Sequence, residues 1–451
     1  MSHYRGMSTQ PAEAPVTSAN LLARAERSIA GGVVSLNRRA DPVIAFARAQ
    51  GAQLWDVEGN EYLDYHAAFA PHILGHNDIR VNAAVQQAMS AQWSLMGSGP
   101  AVWEVGLAER VIGCLPWIER LQIANTGSEA TAHAIRLSRA FTGREHIIVT
   151  MGGYNGWHND VARQVMPALA DTGPRVSPGE YRFLPSSAGI PAGVSDRVHV
   201  VNFNDLESVA YCMKRYPIAC VLTEPALQNV GVILPKPGYL AGLRDLCLAH
   251  GSVLVFDEVK TGFRSSLGGH AQVSGVKPDL AVYGKAIANG YPLGVVGGRA
   301  DIIDQFASAD AARRVLIAGT YNAHPFTTAA ACATIDLLRA DNGAIYRHLE
   351  MLGARLQTGL EQVFSEEGIT ARVSRNASAW CWYLMDHLPV DYHDLAIHHD
   401  MALDRRMRRA LIERGIYLFP LPTKQCSISA AHTIADIDRT IAVVRSVIKG
   451  L

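Results

Sequence analysis

The stretch Val253-Leu-Val-Phe256-Asp257-Glu258-Val259-Lys260-Thr261-Gly262-Phe263-Arg264 decides how this chain is read. Its first four residues are apolar, β-branched or aromatic, and too few for a helix, so they read as a buried strand. Two acids follow where that strand emerges, and Gly262 turns the chain. In open α/β sheets, ligands bind at this carboxyl edge. Working outward, Leu280-Ala-Val-Tyr283 reads as a second short strand, ending in Gly284-Lys285. An acid and a lysine therefore leave two strand ends, 28 positions apart.

That pair suits one chemistry. Pyridoxal phosphate is carried as a Schiff base on a lysine, with an acid against its ring nitrogen. An ionised Asp257 would keep that nitrogen protonated, since a nearby opposite charge favours the charged form. Lys285 would be nucleophile, leaving group and proton shuttle. Taken alone, Lys285 reads as an ordinary surface lysine, so the rest of the chain has to decide.

The chain has 451 residues, 49% hydrophobic and 18% charged, which is ample for a large core in more than one domain. A formal net charge of zero gives no sign of a nucleic-acid partner or an acidic membrane surface. No apolar run reaches the length of a membrane span. Residues 1–20 are polar, lack an apolar signal segment and read as a flexible tail. The seven cysteines are scattered without metal-ligand spacing, so no metal is implied. They read as buried free thiols in a reducing cytoplasm.

Two short alternating runs flank Glu58-Gly59-Asn60 and read as a β-hairpin. Trp103 to Cys114 has helical periodicity. Leu121–Ala124 is a short strand running into Asn125-Thr126-Gly127-Ser128-Glu129-Ala130, with a helix predicted from Thr131 to Phe141 and closed by Gly143. Free backbone amides at such a helix start make an anion site, suited to the cofactor phosphate. Ser128 reads equally as an ordinary N-cap. The strand His146–Thr150 ends in Gly152-Gly153-Tyr154-Asn155-Gly156, where a tyrosine can lie flat on an aromatic ring. Asp171 to Asp196, rich in Pro, Gly and Ser, reads as a long loop over the site. Further strands at Val198–Val201 and Ala219–Thr223, the second running into Glu224-Pro225, alternate with helical stretches. That alternation implies a parallel, doubly wound sheet. Gly319-Thr320 precedes a small-residue helix, and from about Tyr346 the pattern changes to a smaller α+β unit.

Taken together, these motifs resemble the class III aminotransferases, fold-type I pyridoxal phosphate enzymes, and within them the glutamate-1-semialdehyde aminomutase-like subgroup. The resemblance rests on Asn125–Ala130, Gly153–Gly156, Glu224-Pro225, Asp257–Arg264, Gly284-Lys285, Gly319-Thr320 and Ala431–Thr433 in that order. It implies an α/β fold, with a mostly parallel central sheet in a large domain plus a small α+β domain. The expected divisions are a tail at 1–20, a segment at 21–75 joining the small domain, the large cofactor-binding domain at 76–340 and the small domain at 341–451. It implies that Lys285 carries the cofactor and Asp257 pairs with its ring nitrogen. Gly127 and Ser128 would bind the phosphate. Tyr154 and Val259 would cover the two ring faces, and Asn229 would reach the ring hydroxyl, with Glu224 in support. Thr320 would complete the phosphate site of the other subunit of a homodimer. Arg38 would sit near a substrate carboxylate.

Three features depart from that pattern. The usual Tyr-His-Gly is Tyr154-Asn155-Gly156. No match to the aminomutase gating loop occurs between Val165 and Pro191. An acid near the C-terminus is replaced by Lys424. An aminomutase must retain its intermediate, whereas a transaminase that exchanges its keto product need not. The expected activity is therefore an aminotransferase acting on a small amino donor and a carbonyl acceptor. The alternatives are the aminomutase or another isomerase or epimerase on the same scaffold, a decarboxylation, and a non-catalytic cofactor-binding protein.

Overall fold

The computed structural model describes residues 16–451. Its centre is a seven-stranded sheet in the order 120–124, 294–298, 280–284, 253–257, 218–223, 146–150, 198–201. The five strands from 280–284 to 198–201 run parallel. Gly294–Gly298 runs antiparallel to both its neighbours. Helices cover the sheet, so Ile218–Thr223, Val253–Asp257 and Leu280–Gly284 are buried along their whole length. This is why their sequences run continuously apolar instead of alternating.

The reversed strand matters for the site. Gly294, at its start, pairs with both Ala124 and Gly284. Its beginning therefore lies beside the carboxyl ends of the parallel strands. Asn125, Met151, Glu224, Lys285 and the residues just before Gly294 all leave the sheet along one rim, where Asp257 ends its strand.

Helix Gly127–Thr142 packs across this sheet. It begins before the predicted Thr131, because the Thr126 side chain accepts from the Glu129 amide and caps it. Ser128 is thus inside the first turn and is not the N-cap. The helix ends at Gly143, whose φ of 68° is the left-handed C-cap conformation.

The predicted hairpin at Glu58–Asn60 is present, pairing Gln53–Asp56 with Glu61–Asp64. Glu61–Asp64 in turn runs parallel to Ile416–Tyr417. A three-stranded sheet of 372–376, 379–383 and 426–427 adds a second layer, with Trp380, Trp382 and Tyr383 wholly buried. The helical stretch Pro325–Glu366 is broken at Ala340–Gly343, where four residues leave helical geometry. Among the described residues, no helix is long and apolar enough to cross a membrane.

Two expectations need correction. The end of the predicted tail is structured: Ser18–Ala25 is a helix, and Ser18 donates to Glu58 through its amide and hydroxyl at 2.6 and 2.8 Å. The rest of that tail, up to residue 15, lies outside the described residues. The segment Asp171–Asp196 is anchored to the outer strand Val198–Val201 at Glu180 and Tyr181, and none of its residues lines the hollow at the rim. The Tyr181 amide donates to Val200 O, and the Glu180 carboxylate bonds His199 and Tyr216. Histidine and tyrosine partners outcompete the open position that its Pro and Gly content suggested.

Candidate active site

The rim encloses a cavity of about 340 Å³, a size typical of small-molecule sites. Gly127, Ser128, Tyr154, Glu224, Asn229, Asp257, Val259 and Lys285 all line it. Residues separated by more than 150 positions meet because each follows a strand end on the same edge.

Lys285 directly follows its strand and has φ of +50°. Side chains with a β-carbon avoid that left-handed region, and the exception aims this residue off the sheet edge. A short 3₁₀ turn, Lys285–Ala288, follows. Asn289 pins the turn, accepting from the Leu74 amide at 2.9 Å and donating to Gly75 O at 3.0 Å. Burial lowers the Lys285 amine below its ordinary pKa, opposed by the charges of Asp257 and Glu224.

Asp257 is buried. Its Oδ2 accepts from Asn155 Nδ2 at 2.8 Å and its Oδ1 from the Val259 amide at 3.1 Å. Burial, followed by the nearby Glu224 charge, pushes its carboxyl up to about 7, while the Asn155 and Val259 bonds and Lys285 pull it back. Asn155 is itself oriented. Both terminal nitrogens of buried Arg163 lie 3.3 Å from its Oδ1, so its amide nitrogen faces Asp257. Arg163 is locked in turn by Thr150 O at 2.6 Å and Gly153 O at 3.0 Å. The departure at Asn155 therefore has a definite task. Arg163 was not singled out in the sequence, where nothing marks an arginine that folds back under its own loop.

Glu224 ties the opposite wall together. Its Oε1 accepts from the Tyr154 amide at 2.8 Å and Asn229 Nδ2 at 2.7 Å, and its Oε2 from the Gln228 amide at 2.8 Å. Val259 stands so close to Gly127 that a β-carbon there would meet Val259 Cγ2 at 2.8 Å. Gly156, with φ of +124°, leaves room for Ser128 in the same way. Tyr154 is half-exposed, and burial together with the Asp257 charge raises its phenol pKa.

Two predicted residues lie elsewhere. Arg38 is exposed on the short turn Leu36–Arg38 and does not line the cavity. Thr320 is exposed in a separate hollow of about 520 Å³, with Leu95, Met96 and Asn322. The two hollows are linked, because Asn125 Nδ2 donates to Asn322 Oδ1 at 2.9 Å. The cavity also contains Lys260 and Tyr291, which were not singled out as site residues. Lys260 lies inside the deciding stretch, but its neighbour-by-neighbour pattern gives no sign that it faces inward.

The lining suits a planar, phosphorylated pyridine. It offers an amine that burial holds below its ordinary pKa, a buried acid lining the same cavity, small residues at a helix start, and an aromatic and a β-branched side chain for two flat faces.

Over residues 35–443 the chain matches the aminotransferase class-III family. It belongs to that family of pyridoxal-phosphate-dependent enzymes and has their fold-type I architecture. It is 38% identical over 431 residues to a glutamate-1-semialdehyde 2,1-aminomutase of Desulforudis audaxviator, covering 94% of this chain and 95% of that one. Its structure is similar to that of an omega-transaminase from Sphaerobacter thermophilus, with TM-score 0.87, 29% identity and 98% of each chain covered. It is also similar to a beta-phenylalanine aminotransferase from Variovorax paradoxus, with TM-score 0.82, 29% identity, and 96% and 94% of the two chains covered.

Proposed function

We propose that this chain moves an amino group within a single substrate, as a glutamate-1-semialdehyde 2,1-aminomutase. The observation that carries this reading is the similarity, along nearly the whole chain, to relatives of that name; others share 34–38% identity. The transaminase expectation drawn from the motif departures becomes the second reading. What favours it is that no residue between Val165 and Pro191 lines the cavity, where retention of an intermediate would ask for a cover.

Both readings assign the same residues. When bound, pyridoxal phosphate supplies the carbonyl carbon that takes up an amino group and the electron sink that lets a neighbouring proton leave. Lys285 would be the attachment point, and afterwards its amine, held below its ordinary pKa by burial, would carry the proton between the substrate carbon and the cofactor carbon on either side of the shared nitrogen. Asp257 would hold a proton at the ring nitrogen. A cation there would draw the Asp257 carboxyl back down from its raised pKa, so acid and ring stabilise each other. Gly127 and Ser128, in the first turn at the positive end of their helix, would donate to the phosphate. Tyr154 and Val259, which both line the cavity, would hold the ring between them. Asn229, steadied by Glu224, would reach the ring hydroxyl.

The working form is a homodimer in which Thr320 completes the partner's phosphate site. Support comes from the apolar surface around that hollow, where Met96, Val102 and Tyr321 are exposed. The seven unpaired cysteines support a cytoplasmic setting. The large unit spans 76–340 and the small one 341–451, with 21–75 joining the latter through the ladder to Ile416–Tyr417.

Incubating the cofactor-loaded protein with glutamate-1-semialdehyde and no added acceptor tests the leading reading. An isomer carrying the amino group on the adjacent carbon is expected. Turnover that requires an added keto acid, with no isomer formed, would replace it with the transaminase.

A further inference from the structure

Three lysines crowd one wall of the molecule, and only one is used above. Lys260 lines the same cavity as Lys285. Its Nζ donates to Gln228 O at 2.7 Å and to Gln425 Oε1 at 3.1 Å. Lys424 donates from its Nζ to the adjacent carbonyl, Asn229 O, at 3.0 Å. All three acceptors are neutral. Among the described residues, neither lysine has a carboxylate within ion-pair distance. The two acids of the cavity are engaged by amides: Glu224 by Tyr154, Gln228 and Asn229, and Asp257 by Asn155 and Val259. Two further buried guanidiniums close the surroundings. Arg264 is held by Ser378 and the carbonyls of Ala70 and Ile428, and Arg408 is paired with Asp404.

The balance of buried charge is therefore positive on this side. A buried ammonium without a counter-ion is costly, and the group answers by giving up its proton or by taking an anion. Burial, then repulsion from Lys285, holds the Lys260 amine well below its ordinary pKa, and burial takes Lys424 down to about 8. An incoming carboxylate would remove that penalty and gain charge-assisted hydrogen bonds. Arg38, the residue expected to meet such a group, is exposed and away from the cavity.

We propose that Lys260, backed by Lys424, is the anion-recognising residue of this cavity and binds the carboxylate of the substrate. The proposal rests on reading the cavity as the cofactor and substrate site. It explains why a straight-chain cation is tolerated beside Lys285, and why the acid at the position of Lys424 is gone: an acid there would repel the carboxylate that Lys260 attracts.

Binding of pentanoate and of uncharged pentanamide to the cofactor-loaded protein, followed through the visible band of the cofactor, tests it. Wild type should prefer pentanoate by about tenfold or more, the equivalent of at least ~1.4 kcal/mol. Lys260→Met should erase the preference, Lys260→Arg should keep most of it, and Lys424→Met should reduce it. Retention of the preference in Lys260→Met, or its loss in Arg38→Ala alone, would overturn the proposal, as would a wild type that binds both probes equally. If Lys260→Met does not fold, Lys260→Gln, which keeps a donor without the charge, gives the same reading. Absence of any cofactor band in wild type would instead sink the underlying site assignment.

Discussion

The two sides of the cavity were built under different rules. On the cofactor side, Asp257 ends a strand, and Lys285, Gly127 and Ser128 each follow a strand end directly or within a few residues. On the proposed substrate side, Lys260 enters the cavity from a turn and is held by Gln425, 165 positions away in sequence, with Lys424 next to it. The first side has its geometry set by the sheet, so residue type and spacing are enough to find it. The second depends on how distant segments pack, and the proposed carboxylate recognition lies there. The difference teaches that family and cofactor are readable from short motifs in this fold, whereas the choice between moving an amino group within one substrate and between two is not.

Four changes would break or sharpen that contrast. The largest effect belongs to Lys285→Ala, for which turnover should fall by at least ~10³-fold, since nucleophile and proton carrier are lost together. Steady-state rates with added cofactor check this, and a small loss would remove Lys285 from the centre.

Asp257 comes next, and its signature is pH dependence. Its folded pKa of about 7 lies above the unbound carboxyl value of 3.8. Between roughly pH 4 and pH 7 the native protein without cofactor keeps a proton that the unfolded chain has released. Stability should therefore drop as pH rises through that window, by about 2–4 kcal/mol from this group. Asp257→Asn should flatten the drop. Cofactor binding should stabilise wild type more at pH 8 than at pH 5.5. Denaturation curves at both pH values, with and without cofactor, decide the matter.

A smaller effect is expected for Asn155→Ala. It removes the donor that orients Asp257 and one of the acceptors of the buried Arg163. Unfolding free energy should fall by about 1–3 kcal/mol. Gly127→Ala should be comparable or milder. Its new methyl group would press on Val259, at a cost of about 1–2 kcal/mol. That cost should show as weaker cofactor retention on dialysis more than as a lower melting temperature.

Legibility followed the same division. The strands at 253–257 and 280–284, the hairpin around Gly59 and the break after Gly143 could be read because short apolar runs and glycine positions dictate local geometry. The start of the helix at Gly127 was misplaced because Thr126, not Ser128, caps it. Asp171–Asp196 was misplaced because Tyr181 and Glu180 find partners on strand 198–201, a tertiary preference that composition does not encode. Arg163 and Lys260 escaped notice for a related reason. Each looks like a surface cation until the chain folds around it.

The most direct test of the central claim is to reduce the cofactor-loaded protein with borohydride and map its peptides by mass spectrometry. Reduction fixes the cofactor to whichever amine carries it. The account predicts the added mass on Lys285 and none on Lys260, although both line the same cavity. Mass on Lys260 or on another lysine, or no modification at all, would contradict it.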